Sequence, residues 1–255
     1  MIEICALASG SNGNCYYIGN EEEAILIDAG LSFKQILNRM AERALNPKRI
    51  KALFITHEHG DHIRGARVMG KRLDIPVFMT EGTFRASFST WKPISYIAIQ
   101  SNVPVRVGAF TIFPVGKNHD AAEPTSFRVA HEETSVGVFT DIGSPCENVI
   151  HHLNQCHALF LETNYDQQML KEGPYPIYLK ARIESAVGHL SNIQAYQLLK
   201  EHAHASLQCV FLSHLSKENN RPELALNEFK QLEGRFLIKV TDRYAASELY
   251  TLQNV

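Results

Sequence analysis

The sequence predicts an α/β layered fold, organised as one domain over residues 1–255. Three observations carry this reading. Short β-rich runs alternate with helical patterns along the whole chain, as sheets covered by helices require and as separate all-α and all-β parts would not. No stretch rich in Pro, Gly or Ser divides the chain, and no repeat or low-complexity tract interrupts it. With 45% hydrophobic and 20% charged residues, a chain of this length buries roughly three quarters of its unfolded surface and needs neither disulfides nor a metal merely to fold.

Strands open the chain at Ile2–Leu7, Cys15–Ile18 and Ala24–Ile27, separated by the turn sequences SGSNGN and NEEE. Ser32 is placed to cap a helix whose apolar residues Phe33, Ile36, Leu37 and Met40 recur on one face. The apolar run Ala52–Thr56 is the next strand, followed by a helix around Arg64–Arg72 and the strand Val77–Thr80 behind Pro76. Residues from about 94 to 140 read as antiparallel sheet, with strands at Phe110–Val115, Ser126–Ala130 and Val136–Thr140 and a turn at His131–Thr134. Alternation then returns: strand Ala158–Leu161, helices Ile177–Ala186 and Ile193–His202, strand Cys209–Leu212, helix Glu223–Leu232 and strand Phe236–Val240.

The 25 basic and 27 acidic side chains give a formal charge of -2, which argues against coating nucleic acid by bulk charge and leaves only a local basic patch. No run approaches the roughly eighteen apolar residues of a membrane span, and Ile4–Ala8 lacks the basic flank and length of a signal peptide. The expectation is a cytoplasmic protein without membrane association, and no stable protein partner is readable. Five cysteines without a CxxC pair read as reduced, small hydrophobes.

Histidine is the unusual count at twelve, and the residues are clustered. His57-Glu58-His59-Gly60-Asp61-His62 follows directly on the strand ALFIT. Three imidazoles and a carboxylate held on one tight turn supply nitrogen and oxygen donors with little freedom to lose. One ion cannot easily take all four. The spacing directs His57 and His59 toward one ion, and Asp61 and His62 toward a second about 3.5 to 4 Å away. A polar loop of solvated histidines is the bland alternative, and HxHxDH at a strand end is an improbable accident.

That cluster resembles the signature of the metallo-β-lactamase superfamily, and the rest of that pattern is present. The resemblance makes Asp28, at the end of AILI, an aspartate that orients the metal loop. It adds His119 in KNHD to His57 and His59, makes Asp141 in FTDIG the carboxylate bridging both ions, and closes the second site with His214 in FLSH beside Asp61 and His62. Independently of the resemblance, Asp28, His57, His119, Asp141 and His214 each stand at or just beyond the C-terminal end of an apolar strand, and such ends converge on one rim. Alone, His119 or His214 would read as a loop histidine; together they read as ligands. His131, His151, His152, His157, His202 and His204 match no such position and read as surface or structural. The resemblance covers essentially the whole chain and implies an αββα four-layer sandwich, two mixed β-sheets flanked by helices.

The superfamily hosts several chemistries, so the flanking sequence decides between them. Thioesterases and many lactonases of the superfamily carry GHTxGS around the histidine equivalent to His119, whereas this chain has KNHDAAEP. The interval between Asp141 and His214 is too short for the domain inserted there in the large RNA-processing nucleases. What remains resembles the compact bacterial WalJ/YycJ-like branch, regarded as 5'-to-3' DNA exonucleases, through the stretches ASGSNGNC (8–15), ETNYD (162–166), GHLSN (188–192) and LSHLSKENN (212–220). Asn12 and Tyr165 depart from that pattern, where Ser and His are expected.

Each stretch also has a physical reading. Backbone N–H groups between Ser11 and Asn14 could cradle a phosphate, or could simply form a tight turn. Ser191 would cap a helix whose N-terminus favours an anion. Lys180 and Arg182, with Lys117 and Lys217, could supply a positive rim or merely a solvated face. Substrate contacts are therefore placed on Ser11, Asn14, Lys180, Arg182, Ser191 and Ser216. His189 is the expected general acid, with Glu162 or Glu184 orienting it, and Asp61 counts among the catalytic residues as well as the ligands.

The resulting expectation is a two-metal phosphodiesterase acting on DNA through a metal-bridging hydroxide, with nucleic acid as its partner. Zinc suits a nitrogen-rich site, and manganese or iron would also fit. A small-molecule hydrolase on the same ions, of a cyclic or nucleotide phosphodiester, a thioester or a lactone, is the rival.

Overall fold

The computed structural model describes residues 1–87 and 95–253. In chain order the strands are β1 (Glu3–Ala8), β2 (Cys15–Gly19), β3 (Ala24–Ile27), β4 (Ile50–Phe54), β5 (Val77–Thr80), β6 (Ile97–Ile99), β7 (Val105–Val107), β8 (Phe110–Gly116), β9 (Thr125–His131), β10 (Thr134–Phe139), β11 (Ala158–Glu162), β12 (Cys209–Ser213), β13 (Leu237–Val240) and β14 (Tyr250–Thr251). The helices are α1 (Phe33–Glu42), α2 (Gly60–Ile63), α3 (Ala66–Leu73), α4 (Glu81–Ser87), α5 (Glu147–Leu153), α6 (Gln167–Glu172), α7 (Ile177–Glu184), α8 (Asn192–His202) and α9 (Pro222–Glu228).

The strands form two seven-stranded sheets, ordered β14-β1-β2-β3-β4-β5-β6 and β13-β12-β11-β10-β9-β8-β7. Both are mixed: hairpins β1–β2–β3 and β7–β8–β9–β10 are antiparallel, while β3–β4–β5–β6 and β10–β11–β12–β13 run parallel. Strands buried on both faces need apolar residues throughout, and β3 shows the arrangement. Ile25 and Ile27 face the second sheet, in a core with Phe54, Phe110, Phe127, Phe160 and Phe211. Leu26 points the other way, into a layer with Ile36 and Met40 of α1 and Met69 of α3. On the far side α5, α8 and α9 cover Leu159, Leu161 and Val210. Phe54 meets Phe127 edge-on across the seam at 5.5 Å, and Tyr16 meets Phe160 at 4.9 Å. These are the four layers, helix, sheet, sheet, helix, that the family resemblance implies.

Local signals also hold. Ser32 caps α1 in a reciprocal box with Gln35, and Ser191 caps α8 with Gln194 in the same way. Other expectations need correcting. Position 94, where the antiparallel region was to begin, lies outside the described residues, and β6 joins the first sheet parallel to β5 instead. Helices α4, α5 and α6 were not anticipated. They are only six or seven residues long, too short for a helical periodicity to declare itself. Strand β14 has two residues and no alternation to detect. The helix expected over Glu223–Leu232 breaks after Glu228 into a 3-10 turn at Lys230–Leu232. No helix among the described residues is long and apolar enough to cross a membrane.

Candidate metal centre

Six chain segments end on one rim: β3 at Asp28, β4 before His57–His62, β8 before His119, β10 before Asp141, β11 at Glu162 and β12 before His214. Asp28, Asp141 and His214 each take the left-handed backbone conformation, with φ of 63°, 55° and 58°. For residues with a Cβ this costs on the order of 1–2 kcal/mol, and it turns three strand ends sharply so that their side chains point inward. The HEHGDH turn is pressed against the chain after β3. A Cβ on Gly30 would lie 1.7 Å from the Asp61 carbonyl oxygen, so only glycine allows that approach.

Donor atoms of His57, His59 and His119 lie within 4.8 Å of one another, as do those of Asp61, His62 and His214. Between the two triads stands Asp141, with Oδ2 3.2 Å from Nε2 of His62 and Oδ1 3.8 Å from Nε2 of His119. Four of the five imidazoles are held from behind, and His59 instead meets His57 inside the cluster, with its Nδ1 3.0 Å from His57 Nε2. Asp28 Oδ2 is 2.7 Å from Nδ1 of His62, Thr56 Oγ1 is 2.9 Å from Nδ1 of His57, and His119 Nδ1 donates to the Gly188 carbonyl at 3.1 Å. Glu162 Oε1 receives Nδ1 of His214 at 2.9 Å. These contacts aim the opposite nitrogens into the cluster, the arrangement expected of metal-ligating histidines.

Whether cations fit is decided by what the buried atoms lack. His119 Nε2, His214 Nε2 and Asp141 Oδ2 are buried without a hydrogen-bond partner. Three orphaned donor or acceptor atoms at one rim would cost several kcal/mol, and a divalent cation in each triad would satisfy them. The nitrogen and carboxylate donor set fits zinc, manganese or iron.

Burial holds His57 well below the ordinary histidine range and His119 at about 4, so both rings are neutral donors. At His62 and His214 burial works in the same direction, but the surrounding carboxylates, Asp141 foremost, outweigh it and raise both. Burial would raise the Asp141 carboxyl, yet His214, His62, His57 and His119 hold it well below its usual value. Glu162 reaches about 2 because His189 and His214 overcome its burial.

The structure sorts the remaining candidates. His189 lies beside the cluster, with Nδ1 2.8 Å from Glu162 Oε1 and 3.8 Å from Asp141 Oδ1. Glu184 is exposed, and Glu162 takes the place beside His189 that the sequence left open between the two. Asn14 is fully buried, which corrects the expectation that it faces a phosphate. Its amide lies 3.0 Å from Nε2 of His62 and its oxygen accepts from the Gly10 N–H. The backbone N–H groups of Gly13 and Asn14 are likewise spent inside the protein, on Gly10 and Asp61. Ser11 remains exposed. The Ser191 hydroxyl is buried and consumed by its own helix cap, and Ser216 accepts from the Asn219 N–H within a turn. Lys180 donates to the Lys171 carbonyl, Arg182 pairs with Asp120 at 2.5 Å, and Lys117 is buried against the Thr140 carbonyl. The expected basic rim is therefore largely committed within the protein.

Two residues escaped the sequence reading. Thr56 is a junction whose hydroxyl touches Asp28, His57 and His62. Asp120 lies 3.4 Å from Nε2 of His119, with one oxygen buried and unpartnered. Each adjoins a candidate ligand in sequence, the one signal that could have marked it.

Comparison with known proteins agrees with this geometry. The chain is 31% identical over 243 residues to exodeoxyribonuclease YycJ of Bacillus anthracis, covering 91% of this chain and 89% of that protein. It is 33% identical over 224 residues to exodeoxyribonuclease WalJ of Streptococcus pneumoniae D39, covering 86% and 83% respectively. The crystal structure of YhfI, a metallo-β-lactamase fold protein from Bacillus subtilis, superposes with a TM-score of 0.75 at 16% identity, over 97% of this chain and all of that one. The profile of the metallo-β-lactamase superfamily matches residues 8–214, and the chain belongs to that superfamily.

Proposed function

We propose that this metal-dependent hydrolase is a two-metal phosphodiesterase that digests DNA from the 5' end. The observation that carries the reading is the pair of donor triads with Asp141 between them, in a chain 31–33% identical over most of its length to curated exodeoxyribonucleases. His57, His59 and His119 would hold one divalent cation, and Asp61, His62 and His214 the other, with Asp141 shared. When bound, such ions supply charge stabilisation at a phosphodiester and an activated water.

The protein's own groups do the rest. Asp28, Thr56, Glu162 and the Gly188 carbonyl fix the tautomers of His62, His57, His214 and His119, so that these rings need not reorient during reaction. Glu162 accepts the Nδ1 proton of His189, which leaves Nε2 as the nitrogen from which a proton can be given to the leaving 3' oxygen. The same carboxylate is braced by the N–H groups of Ile142 and Leu190 at 2.7 and 3.1 Å, so His189 is held in one orientation.

Digestion of end-labelled single- and double-stranded DNA and RNA, with 5'-phosphate and 5'-hydroxyl ends, in zinc and in manganese, tests this directly. The expected result is progressive loss of the 5' label from DNA. Hydrolysis of small diesters with every strand left intact would instead favour a small-molecule hydrolase.

A further inference from the structure

The segment between β13 and β14 crosses from the second sheet to the first over the metal rim, and it is tightly held. Thr241 bonds the Leu212 carbonyl at 2.9 Å, Arg39 of α1 and Arg43 just beyond its end donate to the carbonyls of Arg243 and Ala246, and the Ser247 N–H bonds the Ala6 carbonyl. Its centre delivers the Arg243 guanidinium to the loop that runs from Gly10 to Asn14. Nη1 donates to Asn12 Oδ1 at 2.6 Å and Ser11 Oγ at 3.3 Å, and Nη2 to the Leu215 carbonyl at 2.5 Å. A Cβ on Gly10 would lie 3.1 Å from the guanidinium carbon, so the glycine leaves room for this close approach.

Every one of these acceptors is neutral. Among the described residues Arg243 makes no ion pair, and Asp61 and Glu218 act on its charge only from a distance. A half-buried cation without a counterion is costly, and a guanidinium offers five N–H donors in a fixed fork. Three hydrogen bonds leave donors to spare. The position is also specific: Leu215 follows the candidate ligand His214, and the Gly10–Asn14 loop ends on an amide touching the candidate ligand His62.

We propose that Arg243 binds a phosphate of the substrate strand next to the phosphodiester held at the metal centre, whether that phosphate is terminal or internal. The inference rests on the phosphodiesterase reading and supplies the strand contact that Lys180 and Arg182, committed elsewhere, do not. Charge-assisted bonds from a preorganised guanidinium to a phosphate are worth about 10- to 100-fold in affinity.

Calorimetry on the zinc-loaded protein tests it, with thymidine 3',5'-bisphosphate and thymidine 5'-monophosphate as probes. The wild type should prefer the bisphosphate by about 10-fold or more, Arg243→Gln should lose most of that preference, and Arg243→Lys should keep part of it. A thermal melt and metal analysis of each variant separate this from collapse of the loop. On DNA, a neutral methylphosphonate beside the scissile phosphate should slow the wild type far more than Arg243→Gln, and moving it between terminal and internal linkages tells the two sources apart. A wild type without preference for the bisphosphate, or a preference that survives Arg243→Gln, overturns the proposal. Loss of the preference in Arg243→Gln, in a protein that digests no DNA, would leave the phosphate site standing and remove the exonuclease reading instead.

Discussion

Oε1 of Glu162 lies 2.8 Å from Nδ1 of His189, and Glu162 is held ionised at about 2. A carboxylate can only accept here, so His189 carries its proton on Nδ1 and turns Nε2 away from the pair. A proton carried on Nε2 can then be given to a leaving oxygen. His189→Ala should retain its metals and fold, yet slow natural phosphodiesters on the order of 10²- to 10⁴-fold. Bis(p-nitrophenyl) phosphate, whose leaving group needs no proton, should suffer far less. Equal losses on both substrates would reduce His189 to a positioning residue.

Asp141 faces His62, His119 and His214 at once, so it should govern both cation sites. Elemental analysis of protein prepared without chelator should find about two metal equivalents per chain. Asp141→Ala should lose most of both, whereas His59→Ala should weaken one site more than the other. A stoichiometry that stays near one under metal-replete conditions would sink the dinuclear assignment.

Asp28 is fully buried and bonds Nδ1 of His62 and both the N–H and the hydroxyl of Thr56. Asp28→Asn keeps the shape and tolerates the left-handed backbone, but it replaces one acceptor oxygen by a donor facing His62. Most of the metal should remain, while activity falls by about 10- to 100-fold. Metal loss as complete as in Asp141→Ala would make Asp28 essential to the site's assembly instead.

Away from the metals, His152 packs against Arg128, accepting its Nε–H at 3.1 Å. Burial first, and then the Arg128 charge, hold it at about 4 against an ordinary 6.5. Above pH 6.5 the ring is neutral in both folded and unfolded chains and has no effect. Between 6.5 and about 4 the unfolded chain takes up a proton that the folded chain refuses, so stability is lost as pH falls through that window. His152→Gln can still accept from Arg128 but cannot titrate. The difference between wild-type and variant urea midpoints, at constant zinc, should therefore shift against the wild type from about pH 7.5 to about pH 5. A difference that does not move with pH would show that His152 is not held neutral by the fold.

What the sequence makes legible follows from how far apart cooperating atoms lie along the chain. His57, His59, Asp61 and His62 share one turn, and Asp28, His119, Asp141 and His214 each close an apolar run, so their convergence can be read from strand ends alone. Arg182 could not be settled between a positive rim and a solvated face because its partner Asp120 lies far from α7 in sequence, and a lone charge looks the same whether paired or free. Asn14 was misread because polar loop residues are ordinarily outside; only the close approach of Gly30 to the HEHGDH turn reveals that the loop is folded under it. The choice between Glu162 and Glu184 had no sequence answer. It depends on Glu162 ending a buried parallel strand while Glu184 closes an exposed helix turn.

The two donor triads straddle the seam of the sandwich. His57, His59, Asp61 and His62 hang from β4 in one sheet, while His119 and His214 follow β8 and β12 in the other. Each triad thus takes two side chains from one half and one from its opposite. Apolar packing between sheets is non-directional and yields readily to sliding, whereas coordination is strongly directional. A cation in either triad would act as a rivet through a laminate, resisting shear at the one edge where the interleaved phenylalanines give way to polar loops. Under mechanical load the rim would then be the last part of the protein to open in the loaded form, and the first once the ions are stripped.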